Sequence, residues 1–460
     1  MISSNRTKTM DMTSGAIISQ IVSFAVPLFL GNIFQQLYNT ADCFIVGHFL
    51  GRDALAAVGS TSHLVLIAIG FFNGLSTGAQ VIISQSFGAR DTKTLNAAIN
   101  TSLLFSFITG IVLSFVGFFA SPLILKLISV PPSIFKLASS YLRIYFSGIS
   151  FLILYNMASG ILRALGDSKR PLYFLIFSSF VNIILDLLFI IILKMGVKGA
   201  ALATVFSQMI SVIPAFVILF AGINVATKSE NQEVFRFSLK NLKINISILK
   251  KMLKIGLPGA VSSSVTSFSN TFMQKYVNIY GASCIAGWAV FARFDGFIIM
   301  PMISISFAVT TFVSQNYGAR QSARIKNGIQ LSYLLNVFII GFLSILLFVF
   351  AQFLSSFFTD DAESIRYASL FIRYTAPFYL LCSTTMFFSQ ALRGFGDSLV
   401  PTIITFSGFV VLRQAFLFIA TRLSDSFAAV AVGYPVVWCV TSLVMFLYYR
   451  WKIKNKFNQL

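Results

Sequence analysis

The chain has 460 residues, of which 57% are hydrophobic, 15% are aromatic and only 10% are charged. A soluble globular protein carries about 25% charged residues, so most of this surface does not face water. Apolar runs of about 20 residues, the length that crosses a bilayer as a helix, recur along the whole chain. They are too long for barrel strands and do not alternate, so the composition predicts an all-α integral membrane protein.

Twelve apolar segments are predicted to be transmembrane helices, which we number as spans 1 to 12. In chain order they cover 16–44, 53–83, 95–119, 134–160, 171–193, 199–222, 252–279, 284–313, 327–351, 365–390, 400–420 and 428–449. If the N-terminus is cytoplasmic, 22 lysines and arginines fall in cytoplasmic segments and seven in outer segments. The positive-inside rule therefore predicts a multi-pass protein of the plasma (inner) membrane with both termini in the cytoplasm. This placement also explains the net charge of +20 without a nucleic-acid partner.

Two motifs recur at a constant offset of 230 positions: residues 84–90 match 314–320, and residues 162–168 match 392–398. The repeat predicts two homologous six-helix lobes with the same orientation, related by a pseudo-twofold axis along the membrane normal. Glycine permits a positive φ angle at the turns of both motifs. The predicted domains are an N-terminal lobe (1–222), a polar cytoplasmic linker loop (223–251) and a C-terminal lobe with a short basic tail (252–460).

Two acidic residues within the N-terminal spans form the candidate site, Asp42 in span 1 and Asp186 in span 5. Each lies one helical turn beyond a polar residue on the same face, Tyr38 and Asn182 respectively. A carboxylate pair in the membrane can hold a proton or bind a small cation such as Na⁺. The alternative is a buried hydrogen-bond network that only fixes helix packing. The other polar residues of this cluster are Asn156 in span 4 and Thr204 in span 6, and the nearby Gln35 and Asn39 in span 1 are candidates for lining a substrate cleft.

The C-terminal spans give less clear indications. With a constant offset, the repeat mates of Asn182 and Asp186 are Leu412 and Phe416, so the acidic cluster is expected in the N-terminal lobe alone. Asp295 in span 8 either forms an interhelical ion pair or lines a cleft together with the nearby Arg293.

Two further expectations concern side chains within spans. The basic residues Arg143, Lys275, Arg373 and Arg413 are expected to extend towards the helix ends. Pro27 in span 1 frees a backbone carbonyl and is predicted to form a hinge.

The sequence resembles the multidrug and toxic compound extrusion (MATE) family over nearly its whole length. The resemblance is carried by 39–42, 47–51, 54–59, the two repeated motifs and 182–190. It implies an antiporter that exports organic, often cationic, drugs by alternating access against entering protons or sodium ions, with no cofactor besides that ion.

The resemblance also implies where the ion binds. The DinF-like and archaeal branches have an N-lobe ion site similar to Tyr38, Asp42, Asn156, Asn182, Asp186 and Thr204. The Norfloxacin-exporter branch also uses acids in spans 7 and 10, where this sequence has none. The resemblance therefore places the coupling site in the N-terminal lobe.

Two alternatives differ in function. A lipid-linked oligosaccharide flippase of the same superfamily is expected to have more arginines in its cleft and often additional helices. An intramembrane enzyme needs a catalytic motif such as His-Glu-x-x-His, and the sequence has only two histidines and no such motif. We therefore expect a transporter without catalytic residues that acts as a monomer in the lipid bilayer and binds small organic cations.

Overall fold

The structure, a computed structural model, describes residues 10–226, 232–235, 243–424 and 426–457. Seventeen α-helices account for most of this described part. They are α1 (Ile17–Leu50), α2 (Arg52–Gly88), α3 (Thr92–Leu127), α4 (Pro132–Ser147), α5 (Ile149–Ala164), α6 (Lys169–Leu187), α7 (Val197–Ala221), α8 (Ile246–Val277), α9 (Ala282–Gly318), α10 (Ser322–Val349), α11 (Ala351–Ser356), α12 (Ala362–Thr375), α13 (Tyr379–Gly394), α14 (Leu399–Phe406), α15 (Arg413–Leu423), α16 (Phe427–Ala431) and α17 (Gly433–Phe457).

The linker contains the strands of the described chain. Strands β1 (Ile223–Ala226) and β2 (Gln232–Phe235) pair in antiparallel register, with Ile223 opposite Phe235. The predicted linker loop therefore contains a short hairpin, which the sequence analysis did not predict. The linker positions 227–231 and 236–242 lie outside the described residues.

The prediction of an all-α membrane protein is confirmed, apart from that hairpin. Nine helical segments of the described chain are long and apolar enough to cross a membrane. Helices α4 and α5 together make a tenth candidate, bent by 47° at a one-residue break. Span 7 corresponds to α8, and span 10 corresponds to α12 and α13 joined by a short 3-10 turn at Ala376–Phe378. Each of the twelve predicted spans therefore has a helical counterpart.

Large apolar side chains are widely exposed on these helices. Phe115 of α3 is 67% exposed and Phe338 of α10 is 74% exposed. A water-soluble surface avoids extended patches of this kind, whereas the hydrocarbon core of a bilayer accommodates them. The exposed apolar surface is therefore the part of the molecule that faces lipid.

The repeated motifs form the same local structure in both halves. The Ser84 hydroxyl donates to the Ala164 carbonyl at 3.1 Å, and the Ser314 hydroxyl donates to the Gly394 carbonyl, also at 3.1 Å. These bonds join α2 to α5 and α9 to α13, so a serine of one motif holds the helix that leads into the other. The sequence repeat is thus matched by equivalent hydrogen bonds between helices in the two halves.

Both motifs contain a residue with a positive φ angle, but that residue is a glycine in only one of them. Gly166 and Gly396 have φ values of 88° and 85°. In the Gly-Ala-Arg motif the positive values fall on the arginines, with φ of 53° at Arg90 and 57° at Arg320. The reason is that α2 and α9 continue through the glycine, so the left-handed position that follows a helix C-terminus is the arginine.

By their contacts the helices group into two compact units. Unit 1 comprises Met1–Asp11 and Val26–Leu257, and unit 2 comprises Met12–Ala25 and Pro258–Leu460. Helix α1 therefore begins in unit 2 and continues in unit 1 from Val26, next to Pro27. Helix α8 does the reverse and enters unit 2 at Pro258. A proline lies at each crossing, where a helix has lost one backbone hydrogen bond.

The segment before α1 is anchored within unit 2. Met12 is fully buried, and its N–H donates to Gln315 Oε1 at 2.9 Å. Its carbonyl accepts from Asn316 Nδ2 at 3.0 Å and from Arg324 Nε at 3.1 Å. Arg324 also donates to the Ser14 carbonyl. These side chains satisfy backbone groups that a chain end would otherwise leave to solvent.

Two π-helical turns change the repeat register. One spans Ser407–Leu412 between α14 and α15, and the other spans Leu188–Ile192 after α6. A π turn accommodates one more residue than the α-helix it interrupts. The extra residue at Ser407–Leu412 raises the offset between matching residues of the two halves from 230 to 231. The extra residue at Leu188–Ile192 in the first half restores an offset of 230, so Val197 at the start of α7 matches Phe427 at the start of α16.

This shift corrects the predicted repeat mates. The mate of Asn182 is Arg413 rather than Leu412, and the mate of Asp186 is Leu417 rather than Phe416. Leu417 is fully buried in an apolar core, so the acidic pair still has no counterpart in unit 2.

Candidate functional site

The two acids of the N-terminal spans come together in unit 1. Asp42 lies on α1 and Asp186 near the end of α6, and their carboxyl groups are close enough to be joined by one hydrogen bond. Asp186 is fully buried and Asp42 is 9% exposed. One oxygen of each carboxyl group, Oδ1 in both cases, is buried without a hydrogen-bond donor among the described residues.

Asn182 and Thr204 hold the Asp186 side. With the Asn182 amide oriented to suit both neighbours, its nitrogen donates to Asp186 Oδ2 at 3.0 Å. Its oxygen then accepts from the Thr204 N–H at 3.3 Å. Tyr38 of α1 has its hydroxyl group beside the Thr204 side chain and close to Asp42. The structure therefore brings together five of the predicted residues from α1, α6 and α7.

Three side chains near this site were missed by the sequence analysis. Tyr141 and Tyr145 of α4 are buried and stacked on each other, with ring centroids 6.4 Å apart. Tyr141 is close to both acids, and Gln208 of α7 lies beside the Tyr145 hydroxyl group. Their spacing was a usable signal, because Tyr141 and Tyr145 are one helical turn apart, as are Thr204 and Gln208.

The remaining predicted polar residues are less enclosed. Asn156 of α5 is half-buried, and its Nδ2 atom is buried without a hydrogen-bond partner among the described residues. Gln35 is half-buried on α1 and Asn39 is exposed on the same helix. Asn156 therefore has an unsatisfied donor in unit 1, whereas Asn39 faces outward from α1.

The acidic pair has no basic partner. Neither carboxyl group forms an ion pair with a lysine, arginine or histidine among the described residues. Two negative charges this close in a low-dielectric interior repel strongly, so the pair is stable only with a shared proton or a bound cation. The Oδ1 atoms without donors are the oxygens that such an ion would contact. The arrangement can therefore exchange a small cation.

Unit 2 contains a different charged cluster around Asp295 of α9. The Tyr379 hydroxyl donates to Asp295 Oδ1 at 2.8 Å. Arg413 of α15 lies within electrostatic reach of the same carboxylate. Asp295 is half-buried, whereas the nearby Arg293 is exposed. Asp295 is thus hydrogen-bonded to α13 and lies within electrostatic reach of α15, but it forms no ion pair among the described residues, so the predicted interhelical ion pair is absent there.

The expectation that Arg413 extends towards a helix end is wrong. Its side chain is only 3% exposed, its Nε donates to the Phe409 carbonyl at 2.8 Å, and its guanidinium lies 5.1 Å from the Tyr434 ring centroid. The π turn exposes that carbonyl to the side chain, and the aromatic core supplies the stacking surface. These two partners hold the arginine inside the unit.

That core is unusually aromatic. Trp288 packs against Phe291, Phe371 and Tyr434, with ring centroids 4.9–6.0 Å apart. The core of unit 1 is instead built mainly from aliphatic side chains such as Ile83. Aromatic faces stabilise a nearby cation, which suits the buried charge of Arg413.

Comparison with known proteins agrees with this architecture. The MatE family model matches residues 27–188 and again 258–419, once in each half. The chain is 32% identical to the probable multidrug resistance protein YoeA of Bacillus subtilis over 441 residues, covering 94% of this chain and 93% of that protein. It is 30% identical to the probable multidrug resistance protein YpnP of the same organism, covering 98% of this chain and all of that protein. A crystal structure of MATE in the bent conformation matches with a TM-score of 0.90 at 25% identity, covering 98% of both chains.

Proposed function

Because the chain belongs to the MATE family of multidrug efflux transporters, we propose that it exports organic cations in exchange for protons or sodium ions bound by Asp42 and Asp186. The family consists of transporters rather than enzymes, and the helices make this a multi-pass membrane protein. We further propose that it acts as a monomer in the plasma (inner) membrane with both termini in the cytoplasm. No cofactor is needed besides the coupling ion.

The observation that carries the proposal is the acidic pair, which has no basic partner in the part of the chain that the structure describes. The two carboxyl groups are within one hydrogen bond of each other, and each has a buried oxygen that meets no donor in that part. Burying an ionisable side chain in a membrane interior costs about 2.5–3.5 kcal/mol. A site that only fixed helix packing would be more stable with amides in place of both acids. A charge that is retained at this cost suits a cation that enters and leaves.

Coupling follows from competition for the same negative charge. When a proton or Na⁺ neutralises the pair, a positively charged substrate loses the electrostatic attraction that holds it in the protein. Asp42 also belongs to α1, which contains Pro27 at the point where the helix passes from unit 2 to unit 1. A helix bends most easily at a proline, so ion occupancy at Asp42 is expected to change the bend of α1.

Transport in proteoliposomes tests the proposal. The purified protein is reconstituted with a fluorescent organic cation, and a pH gradient and a sodium gradient are imposed separately. We expect substrate movement against its gradient with one of the two ions, and no movement with Asp42→Asn. Movement of the substrate against its own gradient when both ion gradients are collapsed would contradict coupling at this pair. Equal movement with Asp42→Asn would contradict it as well. Movement of a lipid-linked oligosaccharide instead of the cation would favour the flippase alternative.

A further inference from the structure

The unexplained feature of unit 2 is a buried positive charge at the repeat mate of Asn182. After the π turn Ser407–Leu412, Arg413 occupies that position. The contacts agree with the register: Asn182 contacts Thr204, and Arg413 stacks on Tyr434, which is the repeat mate of Thr204. The same place in the two units thus holds an amide beside the acids in one and a guanidinium in the other.

The two clusters differ in net charge. The cluster in unit 1 has two carboxyl groups, Asp42 and Asp186, and no basic partner among the described residues. The cluster in unit 2 has one carboxyl group, Asp295, with Arg413 within electrostatic reach. An arginine side chain keeps its positive charge in proteins, so the cluster in unit 2 is neutral without any bound ion.

The surroundings of Arg413 fix its position. Phe409 accepts its Nε–H at 2.8 Å, and the same carbonyl accepts the Ser269 hydroxyl of α8 at 2.7 Å. The Tyr379 hydroxyl donates a hydrogen bond to the Asp295 carboxylate at 2.8 Å. Among the described residues, the other titratable groups beside this pair are Cys382 of α13 and Tyr434 of α17. Neither supplies a positive charge, so Arg413 is the group that compensates Asp295.

We propose that Arg413 is a resident cation that takes, in unit 2, the place that the coupling proton or sodium ion takes in unit 1. This inference rests on the proposed coupling at Asp42 and Asp186. Because the guanidinium is covalently attached, the cluster in unit 2 does not exchange an ion during transport. Removal of its charge leaves Asp295 uncompensated in a low-dielectric interior, where a carboxylate takes up a proton. Arg413→Gln is therefore expected to create a second ion site.

Infrared difference spectra between alkaline and acidic buffer test this with the full chain in lipid nanodiscs. The measured signal is the carbonyl band of a protonated carboxyl group. The starting variant is Asp42→Asn with Asp186→Asn, which removes the acidic pair of unit 1. Addition of Arg413→Gln should produce a gain of one protonated carboxyl group per protein, and further addition of Asp295→Asn should remove that gain.

Two variants serve as matched controls. Arg413→Lys retains the positive charge and should give no gain. Arg422→Gln removes an exposed arginine from the same helix, α15, and should also give none. The absence of a gain with Arg413→Gln would overturn the proposal.

A second measurement decides the question even if Arg413→Gln does not fold. With Arg413 in place, the spectra with and without Asp295→Asn should be identical over the same pH range. A carboxyl band lost on that substitution would show that Asp295 already binds a proton and would overturn the proposal. Failure of the proposed function appears elsewhere, in gradient-driven transport by Asp42→Asn, so the two failures are distinguishable.

Discussion

At the scale of single residues, the site in unit 1 combines two acids with neighbours that are polar but uncharged. Asn182 donates to Asp186, and the Tyr38 hydroxyl lies beside Thr204 and close to Asp42. These neighbours carry no positive charge that could neutralise the carboxyl groups. Under the proposed function that charge is available to the coupling ion, so substitutions that remove charge should act differently from those that remove only a polar neighbour.

Three acid-to-amide substitutions separate the two units. Asp42→Asn and Asp186→Asn preserve shape but remove charge, so each should abolish gradient-driven efflux without lowering the amount of protein in the membrane. Asp295→Asn should weaken efflux less, because that cluster is compensated by Arg413. The measurement is drug efflux from cells at matched protein levels. If Asp42→Asn transports like the wild type, the coupling site is not there; if all three fail equally, it is not confined to unit 1.

Tyr38→Phe should have a smaller effect than loss of an acid. It removes the hydroxyl beside Thr204 and Asp42 but retains the ring and both carboxyl groups. Loss of one polar group that can hydrogen-bond at the site costs about 1 kcal/mol, which corresponds to about a five-fold weaker apparent affinity for the coupling ion. Transport rates measured against ion concentration give that affinity. Tyr374→Phe, which changes an exposed tyrosine, is the control and should leave the affinity unchanged. A Tyr38→Phe protein as inactive as Asp42→Asn would show that the hydroxyl carries the ion itself.

How far the sequence predicts this site depends on the residue. Acids within apolar spans are conspicuous, and the one-turn spacing of Asn182 and Asp186 correctly placed them together. Tyr141 and Tyr145 were missed because a tyrosine in a membrane span usually packs through its ring, so its hydroxyl gives no separate signal. Arg413 was misjudged because its carbonyl and aromatic partners come from packing that the neighbouring sequence does not reveal.

At the scale of elements, helices α2 and α8 approach each other most closely through two glycines. A Cβ atom added at Gly78 would overlap the Met252 carbonyl, and one added at Gly256 would lie 3.0 Å from the Leu75 Cα. Backbone meets backbone at this crossing, so an added methyl group at Gly78 would have to push the two helices apart. Small residues that allow such an approach are typical of helix pairs in membranes.

Gly78→Ala should therefore destabilise the protein by about 1–3 kcal/mol, the usual cost of overpacking. Thermal unfolding in detergent, followed by size-exclusion chromatography after heating, measures the loss. Gly59→Ala in the same helix is the control, because a Cβ atom there meets no neighbour within 4 Å. An equal effect of both substitutions would mean that helix propensity, rather than the crossing, determines the result.

The helices themselves were predictable, but the register within two of them was not. The length of the apolar runs predicted all twelve spans, because a bilayer imposes a minimum length on any helix that crosses it. The π turns at Leu188–Ile192 and Ser407–Leu412 consist of ordinary apolar or small residues. Whether such a stretch forms an α or a π turn depends on the partners of its side chains, which the sequence does not reveal. The prediction therefore used a constant repeat offset, and this offset assigned the wrong repeat mates to Asn182 and Asp186.

At the scale of the whole molecule, the asymmetry of 22 cytoplasmic against seven outer basic residues predicts the topology. After replacement of the four native cysteines, single cysteines at Ser229 and Ser424 should be labelled from opposite sides by a membrane-impermeant reagent. Ser424 lies between α15 and α16, and Ser229 lies outside the described residues. Labelling in intact cells and in inverted vesicles gives the two sides. Labelling of both positions from the same side would contradict the twelve-span topology.

The anchoring of Met12 also sets an order of events during synthesis. Arg324, which binds the Met12 carbonyl, lies 312 residues later in the chain. At about 5–20 residues per second, the ribosome needs about 15–60 s after Met12 to produce that partner. The first turns of α1, which belong to unit 2, must therefore wait in the nascent chain, with their apolar side chains unburied, long after unit 1 can pack. A ribosome that stalls within this interval leaves the N-terminal segment available to membrane chaperones and proteases.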